Sequence, residues 1–156
     1  MKTTMQKVTF PFVAASAMAL LLSGCASPSA YSSTASATAP DSRSALACTL
    51  PSNCVNSIDG GLAPLRFEGP PAQALKVLRA TLAEFPEATV LKADDLSMEV
   101  VFTTAVGFKD YVDFKVDGPA QRIDFRSRSS LGLYDFGKNR SRMAAFATRF
   151  EQAAKR

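Results

Sequence analysis

The chain has 156 residues, of which 47% are hydrophobic, and its 18 basic and 14 acidic residues give a net charge of +4. It contains no histidine, which excludes Ser-His-Asp and Cys-His hydrolysis, His-assisted phosphoryl chemistry and His-ligated zinc. An enzyme built on this chain would have to use carboxylate, lysine, serine or tyrosine chemistry.

The N-terminus is organised as an export signal. Two lysines precede the apolar run 10–22, which is too short and too rich in alanine for a good membrane-spanning helix. The run ends in LSGC at residues 22–25, which resembles the lipobox of bacterial lipoproteins, where the cysteine thiol receives the lipid. An ordinary secretory signal with a chance cysteine is the alternative. The resemblance implies a lipoprotein signal peptide over residues 1–24 and a mature chain that starts at lipidated Cys25.

The residue after the lipid-accepting cysteine indicates the membrane. Ala26 is not the aspartate that retains many such proteins in the inner membrane. We therefore expect a lipid anchor in the bacterial outer membrane, facing the periplasm, with the inner membrane as the alternative. The membrane is then the first partner that the sequence predicts.

A low-complexity segment follows the anchor. Of the 22 residues 26–47, eighteen are Ser, Ala, Thr or Pro, and no periodic apolar face is present. Such a segment buries too little apolar surface to offset the entropy of ordering it. Residues 25–47 are therefore predicted to form the lipidated cysteine and a flexible tether, and residues 48–156 a single globular domain.

Cys48 and Cys54 are the cysteines that remain once Cys25 carries the lipid. An even pair in an oxidising compartment favours a disulfide. The spacing is not the C-x-x-C of redox sites, and no histidine is present to complete a metal site. We expect a structural disulfide, no metal and no cofactor.

Two amphipathic helices and a series of strands are predicted in chain order. A short strand near 64–67 precedes a helix over 70–85, in which Leu75 to Phe85 recur at three- and four-residue steps. The second helix is predicted over 139–155 with Asn139 as its N-cap. Between the helices, strand-like runs cover 88–93, 96–104, 108–117 and 122–129. The order βαββββα with short turns predicts an α+β fold, a two-layer sandwich of an antiparallel sheet with both helices on one face.

The last two strands can pair in two registers that keep apolar residues opposite one another. One register sets Lys115 opposite Arg122, and the other sets Lys115 opposite Asp124. Opposite charges across strands contribute about 0.2 to 1 kcal/mol each, and like charges cost similar amounts, so the second register is predicted. It places the arginines of the last strand on a solvent-facing ladder. The outer pairs would be Asp117–Arg122, Lys115–Asp124, Asp113–Arg126 and Tyr111–Arg128.

A charged cluster is predicted where the last strand meets the second helix. Strand alternation directs Asp110 into the helix layer with Phe108 and Val112, where a carboxylate needs partners. Several cations at the start of a helix oppose its dipole and favour a nearby anion. That anion is either internal or a ligand held by helix N–H groups, and the internal salt bridge is preferred. The cluster comprises Asp110, Asp135, Lys138, Asn139, Arg140 and Arg142.

Three segments resemble one bacterial family. Residues 126–142, RSRSSLGLYDFGKNRSR, resemble the pattern R-S-x-S-R-x-G-x-x-D-x-G-x-N-R-x-R of the family catalogued as domain of unknown function 1499. FKDYVDF at 108–114 and PSNCVNS at 51–57 resemble two further segments of that family, although Ser130 and Tyr111 depart from its usual arginine and aspartate. The resemblance implies no established activity, and members are commonly envelope lipoproteins or membrane-attached. The matching positions are Asn53, Cys54, Phe108, Asp110, Arg126, Ser127, Ser129, Gly132, Asp135, Gly137, Asn139, Arg140 and Arg142.

The uneven charge favours a binding or structural role. Residues 121–156 carry a net charge of +6, whereas residues 48–120 carry −4. A basic end on a membrane tether suits phospholipid headgroups, lipopolysaccharide phosphates, peptidoglycan carboxylates or an envelope protein. Nucleic acid is not expected for an exported protein. We expect a non-catalytic binding or structural module of unknown biochemical role. The alternative is a carboxylate-dependent hydrolase of an anionic envelope substrate that uses Asp110 and Asp135, with Arg140 holding the anion.

Overall fold

Six strands and two helices form the part of the chain that the structure, a computed structural model, describes, residues 43–156. A short 3-10 helix, Ser44–Leu46, precedes them. The predicted signal peptide and Cys25 lie outside the described residues. In chain order the elements are β1 (Cys54–Asn56), β2 (Leu65–Arg66), α1 (Pro71–Leu82), β3 (Ala88–Ala93), β4 (Ser97–Thr103), β5 (Lys109–Asp117), β6 (Arg122–Ser129) and α2 (Lys138–Ala154).

The strands form one antiparallel sheet in the order β1-β6-β5-β4-β3, and β2 also pairs with β6. The predicted α+β sandwich is confirmed, and the four long strands lie within about one residue of their predicted bounds. Strand β1 was not predicted, because its three residues are too few to show alternation. Along β5, alternate residues are buried, which fixes the sheet face that each side chain occupies.

The core lies between the sheet and the two helices. Phe114 of β5 and Phe146 of α2 are fully buried, with ring centroids 5.3 Å apart. Helix α1 ends at Leu82, earlier than predicted, but Phe85 is still 93% buried and stacks on Phe146 at 5.5 Å. The apolar spacing therefore continues past the end of the helix, because the chain after α1 still packs on the same core.

The N-cap prediction for α2 was wrong. The N-cap is Gly137, with a left-handed backbone at φ 72°, and Asn139 lies inside the first turn. Glycine adopts this conformation without the Cβ clash that other residues meet. The Asn139 side chain is thereby free for the buried contacts described below.

The β5–β6 register is the predicted one, with Asp113 opposite Arg126 and Asp117 opposite Arg122. The prediction that the ladder faces solvent was wrong at Asp124, which is 1% exposed. Within residues 43–156, the ion pairs of Asp124 are with Arg122 Nε at 3.0 Å and Arg43 Nε at 3.4 Å, not with Lys115 opposite.

The segment before Cys48 packs on the domain. Leu46, within the stretch predicted as tether, is 1% exposed, and its carbonyl accepts a hydrogen bond from Asn56 Nδ2 at 3.0 Å. Arg43 reaches Asp124 from the same segment. The folded structure therefore starts upstream of residue 48, and this segment covers the outer face of β6.

Candidate functional site

Asp110 and Arg142 form a buried ion pair between β5 and α2. Arg142 Nη2 lies 2.5 Å from Asp110 Oδ2, and each side chain is 6% exposed. Strand alternation turns Asp110 toward the helices, and Arg142 meets it from the second turn of α2. The Arg142 guanidinium also lies 4.9 Å from the centre of the Phe102 ring, a cation–π contact. Each charge would be strongly unfavourable if buried alone, so each requires the other.

Asn139 connects this ion pair to the neighbouring loops. It is fully buried, and its Oδ1 accepts hydrogen bonds from Ser127 Oγ at 2.6 Å and from Arg142 Nη1 at 3.0 Å. Its Nδ2 donates to the Asn53 carbonyl at 3.2 Å and to Ser129 Oγ at 3.0 Å. An amide can fill this position because it combines donors and acceptors in one small side chain.

Asp135 holds the start of α2. Its carboxylate accepts hydrogen bonds from the backbone N–H groups of Gly137 and Asn139, both at 2.9 Å, and from Asn139 Nδ2 at 2.8 Å. Partial burial raises the pKa of Asp135, but the bonds from Asn139 and Gly137 outweigh it and hold the pKa below its ordinary value. A carboxylate at this end of the helix also interacts favourably with the helix dipole.

Arg140 binds backbone carbonyls instead of a carboxylate. Its Nη2 donates to the Gly60 carbonyl at 2.6 Å, and its Nη1 donates to the Gly61 carbonyl at 3.2 Å. Lys138 is exposed and forms no salt bridge within residues 43–156. The three predicted cations are therefore separated: one is buried, one holds a loop and one faces solvent.

The loop that Arg140 holds is organised by Asn56, which the sequence analysis did not single out. Asn56 Oδ1 accepts three backbone N–H groups, from Ile58, Asp59 and Gly60, at 2.7–3.0 Å. A Cβ on Gly60 would lie 2.5 Å from the Asn56 nitrogen, so glycine is required there. The sequence signal is an asparagine shortly before a glycine-rich turn, since Asn56 is followed by Ser-Ile and then by Asp-Gly-Gly.

The predicted disulfide is present. Cys48 and Cys54 are bonded, with their Cα atoms 5.7 Å apart. The bond attaches the N-terminal segment to the first residue of β1. Within residues 43–156, no group of three or more His, Cys, Asp or Glu side chains is placed to hold a metal ion.

A second feature is an exposed apolar surface at one end of the sheet, which we call the apolar tip. It comes from the β4–β5 turn and the loop between β6 and α2, which are joined by a hydrogen bond from Ser130 N–H to the Lys109 carbonyl at 2.9 Å. Phe108 was predicted to face the core, but it precedes β5 and is 58% exposed. The tip consists of Val106, Phe108, Leu131, Leu133, Tyr134 and Phe136, which are between 58% and 89% exposed.

Two open depressions flank Lys138. One, of about 290 Å³, lies between the two tip loops, and its lining includes Phe108 and Phe136 together with Asp110 and Asp135. The other, of about 370 Å³, lies between the end of β4 and α2, where Phe102 and Arg142 line it. Among the residues that the structure describes, no helix is both long and apolar enough to cross a bilayer.

Over residues 22–150 the sequence matches the family described as Protein of unknown function (DUF1499), and the chain belongs to this family. The family resemblance of the three segments is thereby confirmed. No match was found among curated proteins.

Proposed function

We propose that this family member is a lipid-anchored envelope protein whose domain acts as a binding and structural module and not as a hydrolase. Cys25 would carry the lipid, and the domain would face the periplasm from the outer membrane. The lipobox-like sequence at residues 22–25 supports the anchor.

The internal pairing of the charged cluster is the observation that carries the proposal. A carboxylate that activates water or protonates a leaving group must come within hydrogen-bonding distance of the substrate. Asp110 is instead buried against Arg142 at 2.5 Å. Asp135 is engaged by the start of α2. These contacts favour a cluster that maintains the fold over one that performs chemistry.

The same contacts support a rigid platform. The cluster fixes α2 to β5 and, through Asn139, to the loop that carries the apolar tip. A module of this kind presents a preformed surface to its partner, which lowers the entropic penalty of binding. We propose that this partner is an anionic component of the envelope.

Thermal melts separate a structural cluster from an anion site. Native protein, Asp110→Asn and Arg140→Ala are melted with and without inorganic phosphate at constant ionic strength, with Lys155→Ala as an exposed control. We expect phosphate to leave the native Tm unchanged, because Arg142 is paired with Asp110 and Arg140 is held by two backbone carbonyls. Asp110→Asn should lower Tm. A native Tm that rises with phosphate, with the rise lost in Arg140→Ala, would overturn the structural role proposed for the cluster and would identify an anion site at Arg140.

The anchor is tested separately. Native protein should partition into the detergent phase and carry acyl chains, whereas Cys25→Ser should stay unprocessed or be soluble in the periplasm. Mass spectrometry of both forms reads the acyl chains directly. Acylation that persists in Cys25→Ser would contradict the anchor.

A further inference from the structure

We infer that the apolar tip docks onto the surface of a bilayer that contains anionic lipids. The inference deepens the proposed function, on which it rests for proximity to a membrane. It assigns a binding surface and a partner: acyl chains for the apolar side chains and phosphate headgroups for the lysines beside them.

The exposure of the tip requires an explanation. Four of its side chains, Val106, Leu131, Leu133 and Phe136, are more than 70% exposed. Soluble proteins rarely present large apolar side chains together unless the patch binds something. These four side chains lie on two neighbouring loops and are not scattered over the protein. They therefore form one patch that can bind one partner.

The most exposed side chain is held outward by its backbone. Phe136 is 89% exposed and has a positive φ of 55°, a conformation that is unusual for a bulky residue. The flanking residues fix it, because Asp135 Oδ1 accepts a hydrogen bond from the Gly137 N–H at 2.9 Å. Tyr134 packs edge-on against Phe136, with ring centroids 5.0 Å apart. The two aromatic rings therefore project as a unit.

The rest of the loop is also fixed in place. Asn53 Nδ2 donates to the Gly132 carbonyl at 2.6 Å, and Ser52 Oγ donates to the Leu133 carbonyl. These bonds attach the loop to the segment that carries the disulfide. A tip that is ordered before it meets its partner loses little conformational entropy on docking.

The charges around the tip complement an anionic surface. Lys109 and Lys138 are exposed, and neither forms a salt bridge within residues 43–156. Of the neighbouring acids, Asp110 is neutralised by Arg142, whereas Asp135 keeps its charge and directs its oxygens at the N–H groups at the start of α2. Aromatic and aliphatic side chains beside lysines are typical of surfaces that enter the headgroup region of a bilayer.

The shape of the tip and the length of the chain favour a bilayer over a protein partner. A protruding Phe136 needs a matching pocket on a protein, whereas a bilayer accepts it without one. Arg43 contacts Asp124 of β6. Asp124 lies five residues, or about 17 Å along the strand, from the end of β6 that is next to the apolar tip. The 18 residues from Cys25 to position 42 reach up to about 60 Å when extended. The predicted anchor therefore allows the tip to reach the bilayer.

Tryptophan quenching tests the contact, because the chain contains no tryptophan. Leu133→Trp places a single reporter in the tip. Leu96→Trp is the matched control: it is 51% exposed and lies in the β3–β4 turn, at the opposite end of the sheet. The full chain is mixed with vesicles whose acyl chains are brominated, with and without anionic lipid, and its Tm is checked against native protein.

We expect the emission of Leu133→Trp to be quenched severalfold more than that of Leu96→Trp, and more with anionic lipid than without. In the unlipidated Cys25→Ser background, Phe136→Ser should lower vesicle partitioning about tenfold or more. Lys109→Gln and Lys138→Gln should each lower it about fivefold on anionic vesicles.

Equal quenching at both reporter positions, or none at either, overturns the inference. A concentration-dependent blue shift of Leu133→Trp without lipid would also overturn it and would identify a second copy of the chain as the occupant. Mass spectrometry of the acyl chains reports on the anchor alone, so failure of the anchor and failure of the tip are distinguishable.

Discussion

Arg142 and Asp110 lie 32 positions apart in the chain, and their side chains meet at 2.5 Å between the sheet and α2. A buried ion pair of this kind adds little net stability compared with well-packed apolar residues, but the loss of one partner leaves a buried charge uncompensated. The Asn139 amide completes the arrangement by accepting a hydrogen bond from Arg142 at 3.0 Å. The position of α2 on the sheet therefore depends on a polar contact as well as on apolar packing.

Asp110→Asn should destabilise the domain by about 3 kcal/mol or more, because it leaves the Arg142 guanidinium buried without its counter-ion. The double variant Asp110→Asn with Arg142→Gln should lose less than the sum of the single losses. Urea unfolding measures all three. Asp95→Asn, at an exposed aspartate, is the control and should stay within about 0.5 kcal/mol of native. A loss below about 1 kcal/mol for Asp110→Asn would contradict the buried pair.

The Asp135 carboxylate predicts a pH dependence. Its folded-state pKa lies below the ordinary value of 3.8, so the folded protein binds this proton less readily than the unfolded chain. The stabilisation is fully present above the ordinary pKa and is lost as the pH falls through the lower, folded-state pKa. The free energy lost in Asp135→Asn should therefore be constant near neutral pH and shrink below about pH 4.

Urea unfolding of native protein and Asp135→Asn between pH 7 and pH 3 measures this difference. Ser141→Ala serves as the control, because it removes a hydrogen bond to the Lys138 carbonyl at the same end of α2 without removing a titrating group. Its loss should not change with pH. A loss in Asp135→Asn that is the same at pH 3 and pH 7 would show that the carboxylate does not hold the helix start.

The cross-strand pair Asp113–Arg126 should show measurable coupling. Arg126 donates to Asp113 Oδ2 through Nη2 at 2.7 Å and Nε at 3.1 Å, and both side chains are 20% exposed. Asp113→Lys should cost more than Asp113→Ala, because it sets two cations opposite each other. The double reversal Asp113→Lys with Arg126→Asp should recover part of the loss. It cannot recover all of it, since Arg126 also donates to the Ala47 carbonyl.

A double-mutant cycle on unfolding free energies gives the coupling, which we expect at about 0.5–1 kcal/mol. Lys92–Glu99 is the matched control pair, because its atoms are 3.6 Å apart and Lys92 is 83% exposed. Solvent screening should reduce its coupling to a few tenths of a kcal/mol. Equal coupling in the two cycles would contradict the role assigned to the Asp113–Arg126 geometry.

The strand register was predictable because a shift by one residue moves every side chain to the other face of the sheet. Charge signs along β5 and β6 then selected one register, and the structure has it. The partners of individual polar groups were not predictable in the same way. Arg140 binds two carbonyls of a loop about 80 residues away, and a contact at that separation leaves no periodic signal in the sequence.

The burial of Asp124 was missed for a related reason. Alternation assigned it to the outer face, but alternation does not tell whether another segment covers that face. The covering segment, residues 43–47, has a composition typical of disorder. Leu46 is its one large apolar residue, and burial of that side chain helps to offset the cost of ordering the segment. The low-complexity composition of residues 26–47 therefore gave no indication that one residue, Leu46, anchors the segment to the domain.

The Cys48–Cys54 disulfide should hold this covering segment in place. Leu46 precedes Cys48 by two residues, and Cys54 begins β1, which pairs with β6. The ring is small, so the entropic model gives a loss of roughly 2 kcal/mol in Cys48→Ala with Cys54→Ala. If the bond also keeps Arg43 over Asp124, then Asp124→Asn should cost less in the disulfide-free background than in the native one.

Alkylation under denaturing, non-reducing conditions should find neither cysteine free in native protein. Full labelling of both would refute the bond, whereas an unchanged cost of Asp124→Asn would show that Leu46 holds the segment without it.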